Sequence, residues 1–283
     1  MVIPGILIVV GCMLGGFLMA GGNPAALIQP AEFVTILGMA FGAMVISSPM
    51  KVLKQCVSKT LGSLKGSPFN KQAYLDLLTM LFRLFSLARK NGLLALEPHL
   101  SDPHKSDIIS KYHSVLHHKA CFDLLSETMR MMVDGSIQPE EIAPMMDNSI
   151  ETHEAEGHMP VNVMRAVGDG LPGIGIVGAV LGIIITMSHI DGKPEVIGHH
   201  VAAALVGTFL GVFSAYGLIN PVVASISQVE SEETKYMAVI KTALTAYFTG
   251  SSPAVAVEFA RRAIFSFDRP TAQELEAACK NAG

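Results

Sequence analysis

The chain has no tryptophan and little charge. Only 16% of its 283 residues are Asp, Glu, Lys or Arg, against about 25% in an ordinary soluble domain. The net charge is −4, so nothing marks a nucleic-acid binder led by positive charge. The four cysteines, Cys12, Cys56, Cys121 and Cys279, form no CxxC pair. That excludes a disulfide-stapled module and a cysteine zinc site, and leaves free thiols as the simple reading. No P-loop, nucleophile elbow or GxGxxG following a strand occurs, so no enzyme site, cofactor or metal is expected. His113 and His117 stand four residues apart, but no third ligand or HExxH accompanies them. What the sequence has in excess is apolar residues, at 50%, with 26 glycines and a mean hydropathy of +0.45. The composition is that of a membrane protein.

Charge is absent from whole stretches. Residues 1–31 contain no Asp, Glu, Lys or Arg, nor do 33–50, 170–190 or 201–219. Each holds about the 18–20 residues that cross ~30 Å of hydrocarbon as a helix. Helices are required there because the backbone must satisfy its own hydrogen bonds. The first run lacks the basic start of a signal peptide and reads as a retained anchor. The expected fold is all-α: a polytopic membrane protein with four transmembrane helices and a large helical cytoplasmic domain. The divisions by charge are 1–50 (spans 1 and 2 with a short turn), 51–169 (a polar helical domain), 170–222 (spans 3 and 4) and 223–283 (a polar tail).

Basic residues set the orientation. Thirteen of the 20 Lys and Arg lie in 51–169, six follow Pro221, and Lys193 alone sits in the turn between spans 3 and 4. Lys51, Lys54, Lys59, Lys65 and Lys71 crowd the exit of span 2. The positive-inside rule therefore puts the long segment, the tail and both termini in the cytoplasm.

Every span carries a GxxxG: Gly11/Gly15, Gly38/Gly42, Gly178/Gly182 and Gly207/Gly211. Such pairs let helix backbones approach closely in lipid, and helix packing is the role expected of them. Spans 3 and 4 hold no carboxylate or cation, and Glu32 reads as lying at the mouth of span 2. If the protein handles protons, the carrier should come from another polypeptide. Pro172 and Pro221 flank these spans. They read either as helix ends or as sites where a carbonyl freed one turn earlier lines a wet path. Thr208 and Ser214 are small polar groups in span 4, with bonding back to the helix as the simple account.

In the polar segment, Leu75, Leu78, Leu81/Phe82, Phe85 and Ala88 recur at helical spacing over residues 72–90. Arg89 and Glu97 flank Asn91-Gly92, a break between helices, and read as a solvated surface or a docking face for a charged partner. Ser252-Pro253 and Arg269-Pro270-Thr271 look like helix starts.

These pieces together resemble the MotA family of bacterial flagellar stators, within the MotA/TolQ/ExbB superfamily, over essentially the whole length. The residues that carry the resemblance are Gly15-Gly16-Phe17-Leu18-Met19-Ala20-Gly21-Gly22, Gln29-Pro30-Ala31-Glu32 and Tyr74-Leu75-Asp76-Leu77-Leu78. To these add Arg89, Leu96-Glu97, Ile150-Glu151-Thr152-His153-Glu154, Val167-Gly168-Asp169-Gly170-Leu171-Pro172 and Val206-Gly207-Thr208-Phe209-Leu210-Gly211. Ala215-Tyr216-Gly217 with Pro221, and Ala256-Val257-Glu258-Phe259-Ala260-Arg261-Arg262, complete the set. The resemblance implies a pentameric ring around a dimer of a MotB-like subunit whose single span supplies an essential Asp. It implies residence in the bacterial inner membrane among lipid, with no nucleic-acid partner. Pro172 and Pro221 would couple ion passage to movement, and Arg89 and Glu97 would contact the rotor protein FliG. The transported ion would be H⁺, because sodium-driven relatives carry Thr where this chain has Ala179. The competing readings are an ExbB/TolQ-type energiser, which has three spans and lacks the Arg89/Glu97 surface, and a passive membrane scaffold.

Overall fold

The structure, a computed structural model, describes residues 1–191 and 193–282. Among them every regular element is helical. In chain order these are α1 (Val2–Met19), α2 (Pro30–Ser47), α3 (Met50–Ser63), α4 (Lys71–Asn91), α5 (Glu97–Ser101) and α6 (His113–His117). Then come α7 (Lys119–Val133), α8 (Pro139–Met187), α9 (Pro194–Phe213), α10 (Asn220–Phe248), α11 (Pro253–Ala263) and α12 (Ala272–Ala282). A π-helical segment, Ser214–Ile219, joins α9 to α10.

The four uncharged runs lie on four helical stretches long and apolar enough to cross a membrane: Val2–Met19, Pro24–Ser47, Pro139–Met187 and Pro194–Phe248. Start signals follow the local chemistry. Pro24, Pro30 and Pro194 occupy first helical turns, where no donor is missed. The Asn23 side chain accepts from the Ala25 N–H at 3.0 Å, and Gly21 turns the chain at φ +81°.

The chain divides into two compact units. One comprises Met1–Gly66 with Gly157–Gln228; the other comprises Ser67–Glu156 with the described residues from Val229 on. This division differs from the charge boundaries. Residues 51–66 and 157–169 group with the spans, because α3 packs there: the Cys56 thiol donates to the Pro160 carbonyl at 3.6 Å. Lysines at the exit of a span mark an interface rather than the start of a new core.

In the span unit, Ile36 and Ala40 of α2 pack with Leu171 and Ala215. Val161, Val223 and Ile226 form a second small cluster. No residue of α1 is buried within the chain, which hydrocarbon permits.

The other unit is built around α4. Leu77, Leu78, Met80, Leu81, Leu84 and Phe85 have no exposure at all. The helix is therefore covered on most of its circumference, not on one stripe as the spacing suggests. Leu75 and Phe82 are only partly buried. Residues 236–244 of α10 cover it with Tyr236, Met237, Val239, Ile240, Ala243 and Leu244. The Tyr247 hydroxyl donates to the Phe85 carbonyl at 3.0 Å. Asn70 caps α4 through the Ala73 N–H, and Gly92, at φ +85°, follows its last residue. Ser252 caps α11 as its sequence indicates. Thr271 and Glu274 form a reciprocal capping box on α12, with bonds of 3.2 and 2.7 Å. Lys71 of α4 then holds Glu274 at 2.7 Å.

Candidate ion-coupling site

Pro172 and Pro221 do not end helices. Pro172 lies inside α8, and Pro221 is the second residue of α10, directly after the π segment. Each removes a backbone donor, so the carbonyls of Gly168 and Gly217 receive no helical bond from residues 172 and 221. The wider turn at 214–219 takes up the mismatch at the second proline, which is where π-helical turns recur in functional helices. Gly217 and Pro221 line a cavity of about 310 Å³ whose other wall is α1, at Gly5, Ile6 and Val9.

Spans 3 and 4 pack backbone to backbone. A Cβ added at Gly175 would lie 2.8 Å from the Gly207 carbonyl oxygen and 3.1 Å from the Gly211 Cα. One added at Gly211 would meet the Leu171 carbonyl oxygen at 2.6 Å and the Gly175 Cα at 2.9 Å. One at Gly182 would meet the Ala204 Cβ at 2.7 Å. So Gly178/Gly182 and Gly207/Gly211 sit in tight contacts, as does Gly175, which lies outside the GxxxG pattern. Gly11, Gly15, Gly38 and Gly42 differ: a Cβ there meets nothing within 4 Å. Within this chain those four make no close helix contact.

Thr208 and Ala179 belong to the packed seam. The Thr208 Cα is 3.3 Å from a Cβ built on Gly175, and the Ala179 nitrogen is 3.4 Å from one built on Gly207.

Glu32 is not at an open mouth. It is only 9% exposed. Its Oε2 would be 2.6 Å from a Cβ on Gly178 and would collide with one on Gly207, and it has no hydrogen-bond partner. The two glycines make the cradle that admits this carboxylate, so a carboxylate reaches spans 3 and 4 from span 2. The sequence signal for this was faint: one acid two residues into α2, after Gln29-Pro30.

Asp169 and Asn220 also meet. The Asn220 Nδ2 donates to Asp169 Oδ1 at 3.2 Å. The structure thus joins the two proline neighbourhoods through a hydrogen bond that spacing alone could not reveal.

In the other unit, Arg89 lies in the last turn of α4 and Glu97 begins α5. Both are exposed, and neither forms an ion pair among the described residues. They offer one uncompensated charge of each sign on either side of Gly92. His113 and His117 are exposed on the five-residue α6. Among the described residues no three His, Cys, Asp or Glu are grouped to hold a metal.

Comparisons with known proteins agree with this architecture. The family model described as motility protein A N-terminal matches residues 3–92. That of the MotA/TolQ/ExbB proton channel family matches residues 117–239. Motility protein A of Salmonella typhimurium is 37% identical over 276 residues, covering 98% of this chain and 94% of that protein. The solved structure of C. jejuni MotAB is similar at a TM-score of 0.79 and 25% identity, covering 96% of this chain and 98% of that one. The flagellar MotAB stator complex from Bacillus subtilis is similar at a TM-score of 0.73 and 27% identity, over 90% of this chain and 92% of that one.

Proposed function

The chain belongs to the motility protein A family, and from that premise we propose how it turns ion flow into rotation. It is a flagellar stator subunit of the inner membrane, not an enzyme, and it forms a proton-conducting complex with a MotB partner. The rest of the reading follows. Five copies surround two copies of the partner, in contact with lipid. Both termini face the cytoplasm, an orientation supported by the distribution of basic residues. The partner's span brings an Asp to the wall made by spans 3 and 4. Protonation neutralises that carboxylate and removes the cost of holding it against an apolar surface. The ring then steps, and the proton leaves inward. Each charge crossing is worth about 2.3 kcal/mol per 100 mV. Arg89 and Glu97 meet FliG as a pair of opposite charges, and Ala179 fits H⁺ rather than Na⁺.

One observation carries this reading. Two spans with no Asp, Glu, Lys or Arg of their own pack glycine to glycine, with prolines set into helices that continue through them. Such a seam can guide a charge that another chain carries, and its helices lack a backbone donor at both prolines. The test is a deletion strain and a Pro172→Ala strain. The reading expects flagella of normal number that do not turn without the gene, and weakened rotation in the point variant at normal protein level. Normal swimming in a deletion strain that has no second stator would overturn it.

A further inference from the structure

Two polar side chains meet beside the two prolines, one three residues before Pro172 and the other next to Pro221. Asp169 is exposed and stands one helical turn before Pro172. Asn220 opens α10 next to Pro221 and follows the π segment directly. Its Nδ2 bonds the Asp169 carboxylate at 3.2 Å. Its Oδ1 is buried and has no partner. That oxygen lies against Gly168, where any Cβ would collide with it. Gly168 is also the residue whose carbonyl Pro172 deprives of a helical donor. So the Asp169 carboxylate takes the one amide donor of this pair, while the Asn220 Oδ1 stays unpartnered against Gly168. A buried acceptor without a donor is costly and rare, and it marks a place where a proton or a water belongs.

We propose that Asp169 is the proton acceptor at the cytoplasmic exit of the conducting path, and that Asn220 positions its carboxylate. The inference rests on the proton-conducting reading above and adds the station at which the proton leaves. A hydronium arriving from the membrane gives up one O–H bond, and a new O–H bond forms on Asp169. The residue becomes neutral, and the arriving hydronium becomes water. Asp169 then returns the proton to bulk water and regains its charge, with no net change in the protein. Its exposure permits the second transfer.

The Asn220 amide suits both states. Facing the ionised carboxylate it donates through Nδ2, as observed. Facing the protonated acid it turns over and accepts through Oδ1. The turned amide directs Nδ2 toward Gly168, the side that Oδ1 faces in the structure. The absence of a side chain at Gly168 is what leaves room for either orientation. Because Asn220 adjoins the π segment and Pro221, the amide's position reports to the backbone that must flex.

The experiment measures rotation of a small bead on single motors, at low load, where proton transfer limits speed. It uses cells carrying the native partner and counts assembled stators by fluorescence. Asp169→Asn is expected to assemble in normal number and to lose at least tenfold in speed. Asp169→Glu is expected to recover at least half of the speed. Asn220→Leu removes the amide at similar size; it should slow rotation severalfold and change the ratio of speeds in H₂O and D₂O. A purely structural role would leave that ratio unchanged. Wild-type speed and an unchanged isotope ratio in Asp169→Asn would overturn the inference. If Asp169→Asn fails to assemble, Asn220→Leu decides alone, and an unchanged ratio there overturns it equally. Normal swimming in the deletion strain would instead sink the stator reading itself.

Discussion

Alanine at Gly211 and alanine at Gly11 should have different consequences, although both positions begin or end a GxxxG. At Gly211 the new methyl would lie 2.6 Å from the Leu171 carbonyl oxygen, 2.9 Å from the Gly175 Cα and 3.1 Å from the Gly175 nitrogen. All three are backbone atoms of the neighbouring span and have no rotamer to change. Ordinary contact begins near 3.4 Å, so α8 and α9 must part by about 0.8 Å locally, and atoms on both sides of the gap lose much of their dispersion contact. Overpacking of this kind costs about 1–3 kcal/mol, or roughly five- to 150-fold in the packed-to-parted ratio. At Gly11 the methyl meets nothing within 4 Å, and alanine is the better helix former by about 1 kcal/mol in water. The assay is thermal unfolding of the chain purified in detergent, with soft-agar swimming alongside. A loss of about 2–4 °C per kcal/mol is the scale for a protein of this size. Gly211→Ala should therefore lower the midpoint by several degrees and reduce swimming, and Gly11→Ala should leave the purified chain unchanged. Equal midpoints for wild type and Gly211→Ala would refute the close approach of these two spans.

Three further expectations concern other parts of the molecule. Glu32→Gln should hold or raise the midpoint, since it keeps the shape and removes a carboxylate whose Oε2 has no donor, a defect worth about 1–3 kcal/mol; a drop beyond a few degrees would contradict this. His118 packs 4.4 Å from the Phe69 ring, and burial holds its pKa below the ordinary 6.5, with the Glu233 carboxylate opposing. It is neutral in the fold, so the unfolded chain binds the extra proton, and stability falls as pH drops below about 6.5; in His118→Gln the loss between pH 7.5 and 5.5 should be smaller than in wild type. Thr271→Ala breaks the capping box on α12, costs about 0.5–2 kcal/mol, and should speed amide exchange in α12 while the amides of α4 stay protected.

The contrast between legible and hidden features has physical causes. Uncharged runs of span length announce themselves, because hydrocarbon rejects charge over the whole length of a helix. Caps are equally local: Asn70, Ser252 and Thr271 act on donors three residues away. Arg89 was identifiable as exposed because it falls off the apolar spacing of α4, and Glu97 because it flanks the Asn91-Gly92 break. Glu32 was not, since its burial depends on Gly178 and Gly207, more than 140 residues distant in sequence. The same holds for Asp169 and Asn220. Both prolines looked like helix ends because proline weakens a helix, and only packing of the flanking turns keeps α8 and α10 intact through them. The burial of α4 on most of its circumference exceeded its apolar stripe because several elements, not one, cover it.

The π segment has a consequence for how this chain is aligned and engineered. A turn of that type behaves as one extra residue in an otherwise regular helix, and each residue advances an α-helix by about 100°. A helical wheel phased on Gly207 and Gly211 therefore loses its phase before residue 220: carried forward it selects Val222, whereas Val223 is the residue that is fully buried. Periodicity calculated over the whole stretch averages two frames and blurs both. Chimaeras joined within residues 214–219 must conserve the residue count, since one residue more or fewer turns the downstream faces to the wrong neighbours. Relatives that differ in length there should be aligned with a gap of one, not by substitution.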